Sequence, residues 1–291
     1  MSKNTEKILF VILAGLAFGT SVVMARFALK EISPYPLVLF RFGIASVAYI
    51  ITLLILKKKI PTDRKKLRDI AIVGITNTGL PLLFFLIALT YLSSGVFTVL
   101  FSTVPIFTAI GAHLFLKDEK LSRKLLFGLL LGFGGIALLL YTKTNGLTGE
   151  SFHIVGPLIV LLGVCIMAGG AVYARKTLLH EDVFVVSGLQ TIAAFIVLSL
   201  IVVGLGKFSL SAISPLGWFS IFYNAIIGSY VAFLLVFLLV KKHGATASSL
   251  PGYVMPIAST IMGALLLGEV ISLPLVISCL VIFIGIFFAA R

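Results

Sequence analysis

The sequence predicts an all-α integral membrane protein, with ten transmembrane helices forming two inverted five-helix repeats (residues 1–145 and 146–291) around a central cavity. Three observations predict it. The 291 residues are 60% hydrophobic and 11% charged, with a mean hydropathy of +1.19, whereas a soluble domain carries about 25% charged residues. The apolar residues gather in runs close to the roughly 20 residues that cross a bilayer as a helix. The second half of the chain also repeats features of the first at a spacing near 150 residues.

The runs fall at 8–28, 36–56, 70–90, 96–116, 125–141, 154–174, 183–204, 216–240, 246–267 and 274–290, the fifth and tenth being short. MSKNTEK is a short positive start. The apolar run behind it is too long for a signal peptide and lacks a small-x-small cleavage site, so it reads as an uncleaved first helix. The connections are too short for a soluble domain, which leaves binding chemistry to the helix interfaces and the two surfaces. Alternate connections are basic. With the N-terminus inside, eighteen of the 23 Lys and Arg lie on the inner side, seven of them in KKKIPTDRKKLR (57–68). The outer loops hold Lys30, Lys143 and Lys207, while Arg26 and Arg41 lie within spans. This bias places both termini in the cytoplasm and the protein in the cell membrane. The net charge of +13 is therefore a topological signal. No basic helix or zinc-ligand spacing points to nucleic acid. Cys165 and Cys279 lie inside apolar runs and read as packing residues, and no cofactor or metal site is expected.

The internal repeat is carried by matched residues. Glu119 pairs with Glu269 and Gly135 with Gly285 at an offset of 150; Pro105 pairs with Pro256 at 151; Arg26, Gly79 and Gly95 pair with Arg175, Gly228 and Gly244 at 149. Five spans per copy turn the second copy upside down. Such inverted repeats are common in secondary transporters, with the site near the midplane where the copies meet. The paired halves resemble the drug/metabolite transporter superfamily in its EamA-type branch of ten-helix exporters. So do Arg41-Phe42 in the second span and the runs VPIFTAIGAHLFLKDEKLS and MPIASTIMGALLLGEVISL. The resemblance implies spans one to four and six to nine around a cavity, spans five and ten outside, and a small-molecule substrate moved outward, often an amino acid or drug.

Candidate site residues follow from polar groups at membrane depth. Arg41 lies about 9 Å below the end of its span at 1.5 Å per residue. Two readings stand for it: a cation snorkelling to headgroups with carbonyl help, or a guanidinium facing the cavity as a carboxylate clamp or gate. Arg26, nearer its helix end, is expected to snorkel. Gln190 mirrors Arg41 at an offset of 149 and reads as a substrate contact or an interhelical hydrogen-bonder. Asn77, within TNTG, and Tyr230, near Asn224 and Ser229, are expected to line the cavity, as are Ser249 and Tyr253 in the ninth span. Pro105 and Pro256 occupy matching places and read as hinge or pore-lining positions. Gly15xxxGly19 and Gly128xxxGly132 read as close helix-packing faces.

All ten acidic residues lie in loops or at span ends. Without a midplane carboxylate or a phosphate-binding G-x-x-x-x-G-K-[ST] loop, uniport or exchange is favoured over proton or ATP drive. A carrier of amino acids or drug-like compounds is the leading reading, and a carrier of phosphorylated or carboxylate anions the alternative. An intramembrane enzyme would need a nucleophile with a base, or a metal cluster, at one depth, and neither pattern occurs. A scaffold would need no mirrored polar positions. The partners expected are the substrate and the bilayer, with the protein a monomer or weak homodimer.

Overall fold

A computed structural model describes residues 3–115, 123–147, 152–178, 181–210, 212–243 and 251–289. They form helices joined by turns and loops, with no strand among them. Seven helices are long and apolar enough to cross a membrane: Thr5–Ala28, Pro34–Ile55, Arg64–Ala88, Ser94–Phe115, Val155–Leu178, Val183–Gly204 and Pro215–Val236. Three shorter apolar helices, Leu126–Tyr141, Val254–Leu267 and Leu273–Gly285, fall where the sequence places the fifth, ninth and tenth spans.

The elements in order are α1 (Lys3–Ala28), α2 (Pro34–Ile55), α3 (Arg64–Val73), α4 (Leu80–Ala88), α5 (Ser94–Phe101), α6 (Val104–Phe115) and α7 (Arg123–Tyr141). Then come α8 (Val155–Leu178), α9 (Val183–Gly204), α10 (Pro215–Ala225), α11 (Ala232–His243), α12 (Pro251–Leu267) and α13 (Leu273–Ala289). Local chemistry sets several ends. Asp63 caps α3 by accepting from the Lys65 N–H at 2.8 Å, and Asp182 caps α9 from Phe184 and Val185. Ser33 and Ser214 precede helices with Pro in the first turn, where a missing N–H costs nothing.

Three spans are not plain α-helices. The fourth breaks between α5 and α6, at the residues before Pro105. Pro105 has no N–H to donate to the preceding turn, and the Ser102 and Thr103 hydroxyls donate back to Thr98 and Leu100 carbonyls. The third and eighth pass through π-helical turns, Gly74–Gly79 between α3 and α4 and Ile226–Val231 between α10 and α11.

The packing forms a closed circuit. α1 packs against α10, α11 and α12; α2 against α9 and α10; α9 also against α3 and the Gly74–Gly79 turn; α3 and α4 against α8; α8 against α5 and α6; and α5 against α12. α7 and α13 pack on each other beside this ring. Small residues permit the closest crossings. A Cβ on Gly285 would lie 2.7 Å from the Gly128 carbonyl, and one on Gly19 would lie 2.7 Å from Ala258 Cβ. Both expected small-residue faces are thus helix contacts. Large apolar side chains such as Leu54, Ile55, Leu130, Leu200 and Leu265 are exposed on the outside, where lipid is the solvent.

The helix ends define two faces. One, here the loop-30 face, gathers residues 29–33, 89–93, 144–147, 205–210, 212–214 and 268–272; the other, the loop-60 face, gathers 57–63, 181–182 and the start of α1. On the loop-30 face the Glu31 carboxylate accepts from the Ser214 hydroxyl and N–H, both at 2.7 Å, which holds it below the usual carboxylate range. Gly146 does not project from this face as an outer loop. It is buried, with φ +72, its carbonyl accepts from Val270 N, and a Cβ would overlap Ser93.

Candidate functional site

The ring encloses a cavity of about 120 Å³ whose described wall includes Phe18, Phe85, Phe97, Phe101 and Phe233, with Ser21, Arg41, Asn77 and Thr78 as its polar members. The rings pack edge to face: Phe18 on Phe233 at 5.5 Å, and Phe85 on Phe97 and Phe101 at 5.5 and 5.3 Å. Edge-to-face contact sets the positive edge of one ring on the negative face of the next.

Arg41 enters from the second turn of α2 and is 7% exposed. Its Nε donates to Ser229 Oγ at 2.7 Å, Nη1 to Asn224 Oδ1 at 2.9 Å and Nη2 to the Gly228 carbonyl at 3.1 Å. Ser21 from α1 also donates to Asn224 Oδ1, and Asn224 is fixed in turn by donating to the Ser220 carbonyl. The π-helical turn makes this possible. π-turns break the i→i−4 ladder and recur at functional sites. Here the turn lends the Gly228 carbonyl to the guanidinium. A Cβ on Gly228 would overlap Ser21 Oγ, so glycine is what allows α1 and Arg41 to reach the backbone. Neutral dipoles therefore solvate the cation, and three of its five N–H groups are used. Among the described residues the other two, one on each Nη, have no partner.

The mirrored π-turn, Gly74–Gly79, carries Asn77 and Thr78. Asn77 Nδ2 donates to the Met167 carbonyl at 2.9 Å. Thr78 is 5% exposed, and its hydroxyl is buried without a hydrogen-bond partner. Nearby hydroxyls such as Thr76 donate back one turn along the helix.

The structure brings Arg41 and Asn77 together in the cavity wall, but not the other expected residues. Gln190 is buried with its backbone against Gly74, where a Cβ would overlap the Gln190 carbonyl. Tyr230 shares a hydrogen bond with Thr52 and packs on Tyr49 at 5.0 Å, joining the eighth span to the second. Pro105 and Pro256 flank the cavity without lining it; Met255 is the lining residue beside Pro256. Tyr253 falls on α12, where its backbone alone is described, and Ser249 lies outside the described residues. The sequence does not single out Ser21 or Thr78. The signal available is a hydroxyl at the depth of an already suspected polar neighbour.

Arg26 corrects a second expectation. It does not snorkel. Its Nη1 donates to the carbonyls of Leu89, which caps α4, and Leu92 in the turn beyond, at 2.5 and 3.1 Å, and its Nε lies 3.5 Å from Glu269 Oε1. The Glu269 carboxylate accepts from the Ser94 N–H at 3.0 Å and the Ser94 hydroxyl at 2.5 Å, at the start of α5. Carbonyls at a helix C-terminus attract the cation, and N–H groups at a helix N-terminus attract the carboxylate. This cluster closes the cavity's loop-30 end, since Leu89 and Ala25 also line the cavity.

A helical ring with a lipid-facing apolar surface and a buried, partly polar cavity defines a multi-pass integral membrane protein of the solute-carrying kind. The EamA-like transporter family matches residues 5–141 and 154–291, and the chain belongs to that family of membrane transporters. It is 25% identical over 260 residues to the uncharacterized inner membrane transporter YedA of Escherichia coli strain K12, covering 88% of this chain and 81% of the relative. It is 25% identical to the uncharacterized transporter YetK of Bacillus subtilis, covering 86% and 76%, and 23% identical to YoaV of the same organism, covering 95% and 94%. A solved crystal structure matches with a TM-score of 0.68 at 20% identity, covering 99% of this chain and 98% of that one, a likeness of fold.

Proposed function

We propose that the protein is an alternating-access exporter of small organic metabolites, working by uniport or exchange, with two inverted five-helix repeats and both termini cytoplasmic. The observation that carries this reading is the cavity itself. It lies where helices from the two family-matching segments meet, with a buried cation in its wall and a charged cluster across one end. Two π-turns at corresponding places, one from each segment, support the repeat.

The test is reconstitution in liposomes and measurement of flux for labelled amino acids and organic acids, with and without a pH gradient. Downhill flux that persists after the gradient is collapsed supports uniport or exchange. Flux abolished for every solute by collapsing the gradient would overturn that mode. Orientation is tested with cysteines in place of Lys207 and Lys65, both exposed. An impermeant thiol reagent outside the cell is expected to label position 207 and not 65; the reverse pattern inverts the topology.

A further inference from the structure

We infer that the solute is a small organic monocarboxylate with an apolar, single-ring-sized body and no ammonium group. This rests on the proposed carrier function and narrows it to a substrate class.

The charge of the site comes first. Among the described residues Arg41 is the one charged group in the cavity wall. Its protein partners are all neutral, so the site carries a net positive charge in a water-poor setting. An anion is the ligand that such a site stabilises. The two unused Nη–H groups offer a carboxylate the paired contacts that a guanidinium makes well. A phosphate monoester carries up to two negative charges, and a single cation leaves one of them unmatched.

The argument against ammonium is as direct. Glu269, the carboxylate in the cluster at the cavity's loop-30 end, is already held by Arg26 and Ser94. The Gly228 and Met167 carbonyls near the cavity already accept from Arg41 and Asn77, and the side-chain acceptors that remain, Asn77 Oδ1 among them, are neutral and give an ammonium no counter-charge. An α-ammonium beside a carboxylate seated on Arg41 would meet the like charge of the guanidinium at short range. A hydroxyl or keto group would not.

The rest of the wall supplies shape. Five phenylalanines surround the polar members, and about 120 Å³ is of the order of the benzene-sized space an apolar cavity holds. Thr78 adds specificity. Its buried, unpartnered hydroxyl would gain a hydrogen bond from a ligand that carries a second neutral polar group.

The experiment uses four ligands with one body: 3-phenyllactate, 3-phenylpropanoate, phenylalanine and 2-phenylethylamine. Binding to the purified full-length protein is measured by calorimetry and by thermal shift. Phenyllactate and phenylpropanoate are expected to bind about tenfold or more tightly than phenylalanine, with the amine weakest. Arg41→Gln is expected to erase the preference for acids over the amine, and Thr78→Val to narrow the gap between phenyllactate and phenylpropanoate. If Arg41→Gln does not accumulate, the order on the unaltered protein decides. Phenylalanine or the amine binding as tightly as the acids overturns the inference, as does failure of both acids to bind at millimolar concentration. Binding is read apart from flux. Selective binding without flux counts against the carrier reading alone, and flux of other solutes without acid selectivity counts against this inference alone.

Discussion

The two faces are fastened by different electrostatics. On the loop-30 face one buried cluster joins α1, the end of α4, the start of α5 and the segment after α12, with Glu269 5% and Arg26 15% exposed at the side chain. On the loop-60 face Lys58–Asp182, Lys66–Glu181 and Lys242–Glu6 tie the halves together at 2.5–2.6 Å, all substantially exposed. Water weakens each of those pairs to about 0–1 kcal/mol. A buried pair is strong in a different sense: its formation repays desolvation only when every lone pair is met, and removing one partner strands a charge. On the loop-30 face the Arg26–Glu269 closure therefore gives way as a unit, beside the exposed Glu31–Ser214 link, whereas the ion pairs of the loop-60 face break independently. Under the alternating access proposed above, this puts the more sharply two-state step on the loop-30 face.

The largest expected effect is at Glu269. Glu269→Gln takes the carboxylate from Arg26, whose contacts with the Leu89 and Leu92 carbonyls remain, and is expected to cost about 3–5 kcal/mol in a melting or denaturation series. The Arg26→Gln, Glu269→Gln double variant should recover a share of that loss, because no charge is stranded. Simple addition of the two single losses would show that the cluster is not one unit. Next is Gly263→Ala. A Cβ there would overlap Glu269 Oε2 and Ser94 Oγ, so overpacking of about 1–3 kcal/mol is expected in the same assay. Third, Lys58→Ala, Lys66→Ala and Lys242→Ala should each cost no more than about 1 kcal/mol and should add. A loss at any of them as large as at Glu269 would erase the contrast.

The smallest effect is in pH. Burial pushes the Asp182 carboxyl up, but Lys58 and the N–H groups of Val185 and Phe184 more than offset this and hold it below the usual carboxylate range. A depressed folded-state value contributes stability that is complete above the ordinary carboxylate value near 4 and is lost as pH falls through the depressed one. Asp182→Asn, which keeps a capping side chain, should flatten that acid limb of the melting curve by a few tenths of a kcal/mol.

Most of the helix pattern was legible in the sequence. Apolar run length marks a span, and lipid enforces it by forbidding unpaired backbone. Val183–Gly204 matches its expected bounds, and α3 begins six residues early because Asp63 supplies a cap in a polar stretch that hydropathy discounts. The site was less fully legible. Arg41 stood out because a cation is costly among apolar neighbours, and Asn77 for the same reason. The roles of Glu269 and Arg26 were not. Glu269 does lie at a span end, as its position implies, but its burial depends on where α1 and α5 meet it. Tyr230 and Gln190 have the right depth, but depth alone does not show that Tyr230 meets Thr52 and Tyr49 or that Gln190 sets its backbone against Gly74.

Those π-turns also make chain length adjustable at two places inside the membrane. Each wider turn stores one residue more than an α-turn. Deleting a single residue from 226–231 or 74–79 would let the wide turn close to an ordinary α-turn and keep the register on either side, whereas the same deletion elsewhere in a span would turn everything beyond it by about 100° and shift it by about 1.5 Å. What a deletion at 226–231 would remove is the backbone carbonyl that the wide turn lends to Arg41 at Gly228. A single-residue deletion within a span should therefore be absorbed best at Gly74–Gly79 and Ile226–Val231, two short segments that hydropathy cannot tell apart from the rest of their spans.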